Sequence, residues 1–322
     1  MGSRLASRLL FGALLFGCVL CSAVAAAGPR PARTPIHARS TIEGTWAHNY
    51  VLVFESPAKW PGLVVSESDA PAVAAIEAKQ ISDFFAHGLD PEVPALMAQI
   101  DGLPLVRGER RTRVLVDPAD GKLPYRPQVL KAMSGPQPPD KLDNPEERPA
   151  PERCLTGVGQ PPLVSLTFAT PLQIVRTKDA VALHTEYGDE VRIVPITDKH
   201  GPKSAFSRMG DSIGHWEGDT LVVETIGLPD SDSFRIGPVF VVSGAAKVTE
   251  RFTAVSGKEL LYQFTVDDPK TYTTPWRGEF SWYRTSKLMY EHACHEGNYS
   301  LPNILAGARH EEAAARIAAA GK

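Results

Sequence analysis

The stretch "RMGDSIGHWEGDTLVVET", Arg208 to Thr225, carries two competing readings. Its "GDSI" is close to the signature of a family of serine esterases, in which Ser212 would be the nucleophile. Such an enzyme needs its serine just after a buried parallel strand. It also needs a base, supplied near the C-terminus by a histidine with an aspartate three positions before it. After Ser212 no histidine has that aspartate, and the preceding "GPKSAFSR" is no buried strand. Glu217-Gly218-Asp219 is turn chemistry between "GHW" and "TLVVET", so the stretch reads as an antiparallel β-hairpin and Ser212 as a strand residue.

The same period of two extends on both sides of this hairpin. "LQIVRTKDAVALHTEYGDEVRIVPI" gives at least two strands, "AAKVTERFTAVSGKELLYQFTVDDP" a further hairpin, and "WRGEFSWYRTSKLMYEHACHEGN" two more, turning near Thr285 to Lys287. Upstream, "GTWAHNYVLVF" from Gly44 reads as the first strand, and "RVLVDPADGKLPYRP" as a strand that ends in a turn. Seven or more antiparallel strands with short turns predict a mainly β fold, either a lipocalin-like barrel or a sandwich. A barrel also removes exposed edges. One N-terminal helix is expected in "SDAPAVAAIEAKQISDFFAHG", with Asp69 as cap, Pro71 in the first turn, Val73, Ile76, Ile81 and Phe84 at helical spacing, and Gly88 as the stop. Pro136 to Pro162 carries eight prolines, so about 117–163 is expected to be an irregular arm on the surface.

The ends set the compartment. Arg4 and Arg8, an apolar run from Leu9 to Leu20, and the small residues "AVAAAG" predict a secretory signal peptide over 1–27. The run is shorter than the roughly 20 residues a bilayer span needs, so no stable membrane insertion is expected once the signal is removed. An alternative takes "LFGC", ending at Cys18, as a lipoprotein box. Residues 28–41 read as a Pro- and Arg-rich linker, 42–307 as a single β-rich domain, and 308–322 as a frayed, helix-forming tail with almost no apolar face. The net charge of −3 includes no basic block, which argues against a nucleic-acid partner. Of four cysteines, Cys18 and Cys21 leave with the signal. Cys154 and Cys294 remain, a candidate disulfide in a periplasmic or secreted protein.

The motifs "MGDSIGHWEGDTLVVET", "ERFT", "DPKTYTTPW" and "YEHACHEGNYSLPNILAGAR", with "VLVDPADGKLPY" and "ERCL" before them, resemble those of a large group of exported bacterial proteins. The resemblance runs from about Val114 to Arg309. It implies a secreted, β-rich domain and carries over no particular activity. Two positions depart from the group's pattern. A His-Ser-Asp run before the "ERF" strand is replaced by "VVSGAAKVTERF", and His292 stands where the group more often has Tyr, which argues against His292 as an essential ligand.

Strand parity selects the candidate functional residues. His215 and Glu217 point together with Trp216 opposite, and Thr220, Val222 and Glu224 share a face opposite Leu221 and Val223. A last strand would set Glu291 and His295 on one face, with His292, Cys294 and Glu296 on the other. An interior collecting His215, Glu224, Glu250, Arg251, Glu291 and His295 would shift the pKa values of its acid and base groups and suit proton transfer on a small organic ligand. The glycine-flanked His215 and His295 are the residues expected to face a cavity mouth. The plain alternative is the wet face of an antiparallel sheet, with Glu250 and Arg251 pairing across strands.

"HACHEG" lacks the i, i+4 histidine spacing of a helical zinc site, and no metal or cofactor is expected. His295 with His215 and a carboxylate from another strand is the one arrangement that could hold an ion. Two functions follow. One is an exported enzyme (lyase, isomerase or hydrolase) using His215, Glu224, Glu291 and His295. The other is a non-catalytic module that binds an apolar or aromatic molecule through Trp216, Trp276, Trp282 and Arg251.

Overall fold

The computed structural model describes residues 41–48, 50, 52–85, 102–134, 143–148, 150, 152–155, 158–164, 171–230 and 240–321. The expected signal segment 1–27, nearly all of the linker 28–41, and Gly88 lie outside the described residues.

The β-rich segments form β1 (Gly44–Ala47), β2 (Leu105–Val106), β3 (Glu109–Arg110), β4 (Leu115–Asp117), β5 (Leu172–Arg176), β6 (Ala180–Thr185) and β7 (Glu190–Pro195). They continue as β8 (Asp211–Glu217), β9 (Thr220–Ile226), β10 (Lys247–Ala254), β11 (Glu259–Asp267) and β12 (Trp276–Arg284). Among the described residues nine strands hydrogen-bond in the order β7-β6-β5-β1-β12-β11-β10-β9-β8, with β4 paired to β12 off that path. The two ends of the path meet where Ile196 bridges Gly214 in parallel and Thr197 N donates to Gly214 O at 3.1 Å. The sheet is thus a nearly closed antiparallel barrel rather than a sandwich, and its wall is weakest between β7 and β8.

Closure leaves that seam open where β7 begins, and the proline-rich arm fills it. Gly159 to Val164 are buried. Gly159 N donates to Glu190 Oε2 at 2.7 Å, Gln160 Nε2 to Arg208 O at 2.6 Å, and Leu163 N to the Tyr262 hydroxyl at 2.7 Å. A Cβ on Gly159 would stand 2.7 Å from Met209 Cε and 2.8 Å from Glu190 Cβ, so the approach needs glycine. Part of the expected surface arm is therefore a plug. Elsewhere in the arm the described residues include a helix α2 (Pro127–Ser134) and a single 3-10 turn at Pro145–Glu147.

The interior is filled by side chains, as a barrel of this size allows. Phe252, Tyr262, Phe264, Phe280 and Trp282 pack ring against ring at centroid distances of 4.8 to 6.5 Å. Phe54 and Phe240 stack on each other, and both meet the Trp276 ring edge-on where β12 begins. At the opposite end Ile42 is buried, and Trp46 Nε1 donates to Ile42 O at 2.7 Å. The Arg284 guanidinium lies over the Trp46 ring while donating to Glu43 O and Thr41 O.

A smaller layer packs beside β12 and joins the wall through β4. β4 pairs with β12, Val114 N and Leu115 N donate to Val53 O and Phe54 O, and Arg111 donates to Glu279 at 3.0 Å. The expected N-terminal helix is α1 (Ala70–Phe85), which follows Asp69 and buries Ala70 and Val73 against Val53, Val65 and Leu103.

Two expectations about the C-terminal part are corrected. Only one strand, β12, follows Trp276. The chain from Thr285 to Ala293 forms no strand, and Cys294–Gly297 is a four-residue helix, α3. Glu291 and His295 are both exposed and share no strand face. Helix α4 (Ser300–Ala320) then continues to the end of the described chain, well past the start of the expected frayed tail at residue 308. Its alanines favour helix, Arg309 pairs with Glu312 one turn on within it, and the same guanidinium ties it to Asn144 Oδ1 and Asp143 O. Cys154 and Cys294 form the expected disulfide, Cα to Cα 5.8 Å, tying the arm to α3.

Candidate functional site

Register decides which side chains face inward. Ser212, Gly214 and Trp216 of β8 pair with Thr225, Val223 and Leu221 of β9, which pair in turn with Val248, Glu250 and Phe252 of β10. These form the inner face. Ile213, His215 and Glu217, with Thr220, Val222, Glu224 and Arg251, form the outer wall. The parity read from the sequence holds, but the interior collects a different set of charges. Of His215, Glu224, Glu250, Arg251, Glu291 and His295, only Glu250 points inward.

Glu250 pairs with Arg192 of β7 across the barrel, not with Arg251. The two side chains are buried and joined by two bonds, 2.5 and 2.8 Å. Tyr262 donates to Glu250 Oε1 at 2.8 Å, Arg192 donates to Thr225 Oγ1 at 3.3 Å, and Thr225 bonds Ser212 at 2.7 Å. Burial alone would lower the Arg192 pKa, but the Glu250 carboxylate outweighs it and raises it, so the guanidinium stays charged. Burial, with Glu250 beside it, pushes the Tyr262 phenol well above its usual range. Nothing here is open to a substrate, and Ser212 is a member of a core network rather than a nucleophile.

The accessible acid and base groups sit on the outer wall. His200, in the loop after β7, is partly buried and bonded on both sides of its ring. Nδ1 lies 2.8 Å from Asp211 Oδ2, and Nε2 lies 3.3 Å from Glu224 Oε1. Gly201 N also donates to Asp211 Oδ2 at 2.9 Å, and Lys247 of β10 reaches Glu224 Oε2 at 3.3 Å. The string runs Asp211, His200, Glu224, Lys247 across three adjacent strands. Partial burial pushes the Glu224 carboxyl up, but the hydrogen bonds from His200 and Lys247 outweigh it and hold it below the usual carboxylate range.

A second, more exposed group lies further along the same wall. His215 Nε2 is 3.2 Å from Glu217 Oε1, and Arg251 donates to Glu217 Oε2 at 2.7 Å. The Arg251 and His215 bonds keep Glu217 below its usual range. With 61% of its side chain exposed, His215 has no shelter from water.

The expected ligand tryptophans divide. Trp276 and Trp282 are 0% and 4% exposed, so they are packed core and line no open pocket. Trp216 is partly exposed at the barrel end, with the Arg176 guanidinium 4.2 Å over its ring. Among the described residues no group of three His, Cys, Asp or Glu side chains is placed to hold a metal ion, and no helix is long and apolar enough to cross a membrane.

His200, Asp211 and Lys247 are what the sequence reading missed. "TDKHGPK" is a loop without periodicity, so no face could be assigned to it. The available signal was the outward parity of Asp211 and Glu224, two carboxylates on neighbouring strands that need a cation between them. No family model matches the chain, and no curated protein is similar to it.

Proposed function

We propose that the protein is an exported enzyme, of the periplasm or the medium, that acts on a small organic molecule by general acid/base chemistry. Its site is the outer-wall string rather than a barrel cavity. One observation carries the reading: a sheltered histidine with a carboxylate on each side of its ring, at 2.8 and 3.3 Å. Asp211 fixes the ring's orientation, as the acidic member of a catalytic triad does. Glu224, held below the usual carboxylate range by its His200 and Lys247 partners, can take a proton from substrate and return it to the product. A lyase, an isomerase and a hydrolase all fit this pair, and no cofactor enters the reading.

The test is conversion. Mature protein is incubated with a mixture of small organic acids, esters and sugar derivatives, followed by mass spectrometry. At least one compound should be converted, with the rate falling about 10²- to 10⁴-fold in Glu224→Gln. Conversion unchanged in that variant would overturn the assignment, and no conversion at all would count against an enzyme.

A second reading, binding without turnover, is favoured by the half-open Trp216 under Arg176. It expects a compound retained intact by the wild type and lost from Trp216→Ala.

A further inference from the structure

The two bonds of His200 cannot both survive loss of one proton. A neutral imidazole has one N–H and one lone pair, while an ionised carboxylate only accepts. With Asp211 and Glu224 both ionised, only the imidazolium can donate to each. Deprotonation must leave a lone pair facing a carboxylate.

The geometry names the side that lets go. Asp211 is nearer, at 2.8 Å against 3.3 Å, and the adjacent Gly201 N donates to the same oxygen. Glu224 keeps Lys247 at 3.3 Å when His200 leaves. The charged groups facing His200 are Asp211 from β8 and Glu224 from β9, with Lys247 of β10 one step further; Asp198, Lys199 and Lys203 lie in its own loop. With His200 as imidazolium and both carboxylates ionised the string carries two positive and two negative charges; loss of the imidazolium proton leaves one negative charge in excess.

We propose that His200 is a proton-operated cover for Glu224: as imidazolium it ties its loop to both strands and masks the carboxylate, and as neutral imidazole it stays on Asp211 and uncovers it. The functional consequence rests on the acid/base reading above, with the site masked while His200 holds both ring protons and open once one is lost. The structural consequence does not depend on that reading.

Nuclear magnetic resonance of the ¹⁵N-labelled mature protein tests it across about pH 5 to 8, the range in which histidines change charge. The ring nitrogens of His200 should show both protons in acid and only the Nδ1 proton when neutral. The backbone amides of Ile213, Glu224 and Thr197 should move with the same midpoint. His200→Gln should abolish that shared midpoint, and should it fail to fold, Glu224→Gln should abolish the response at Glu224 while leaving that at Gly201. A ring that keeps its Nε2 proton when neutral, or amides at Glu224 that ignore its titration, would overturn the cover. These outcomes are separate from catalysis: finding no substrate leaves the titration standing, and an uncoupled titration leaves Glu224 free to be a base.

Discussion

His48 shows how much a single buried group can weigh on this fold. It is enclosed against Tyr50 and Phe280, and Nδ1 lies 3.1 Å from Tyr50 O. Burial, partly countered by that backbone carbonyl, lowers its pKa to about 4 from 6.5. The folded state thus resists a proton that the unfolded chain accepts. Above pH 6.5 His48 costs nothing; as pH falls toward 4 the unfolded chain gains protons first and stability drops, by about 3 kcal/mol at full effect. Urea denaturation of wild type and His48→Gln at pH 7 and pH 4.5 checks this. The difference between the two pH values should shrink in the variant, and an equal difference in both would refute it. The Arg192–Glu250 pair is the opposite case. Two charges with almost no exposure are tolerable because each satisfies the other, and removing either alone leaves a buried charge uncompensated.

At the scale of elements, β12 carries the most constraints. It pairs with β1 on one side, with β11 on the other, and accepts β4 where its register shifts between Arg277 and Gly278. Gly278 stands opposite Phe264, whose ring occupies the space a side chain would take: a Cβ there would lie 2.3 Å from Phe264 Cζ. That ring is held by Tyr262 and Trp276 and has little room to retreat. Gly278→Ala should therefore destabilise by about 1–3 kcal/mol through overpacking, read as a drop in thermal midpoint. A neutral effect would mean that the Phe264 ring can move aside.

The strands themselves were legible in the sequence because their alternation is strong. Parity even told which side chains of β8 and β9 travel together. It could not tell which face is inner, since each face mixes polar and apolar residues: Glu250 and Arg192 lie inside, while Val175, Val191 and Ile193 are exposed outside. Hence His215, Glu224 and Arg251 were expected in one cavity with Glu250, although Glu250 and Arg251 have opposite parity and only Glu250 faces the interior. Past Arg284 the same alternation misled, because "YEHACHEG" has a strand's rhythm but no partner strand to pair with.

For the whole molecule, the barrel's weak seam and the disulfide belong to one design. Among the described residues the barrel closes through a single parallel bridge, and the arm that seals the rest of the seam is rich in proline, with few backbone donors of its own to hold it. Cys154 anchors that arm to Cys294 across a sequence separation of 140, and Asn298 adds a bond from its side chain to Glu152 O at 2.7 Å. A cross-link over so long a loop acts mainly on the unfolded chain, removing extended conformations worth about 5 kcal/mol in the chain-entropy model. It contributes little to the barrel's own hydrogen bonds. The double variant Cys154→Ser, Cys294→Ser should therefore keep the wild-type β-sheet circular dichroism in buffer while its urea midpoint falls. Its denaturant slope should rise, because its unfolded state exposes more surface. Were the midpoint to stay put, the arm would be held by its buried contacts to Glu190, Arg208 and Tyr262 alone. Were the circular dichroism to collapse, the cross-link would be needed to close the barrel and not merely to strengthen it.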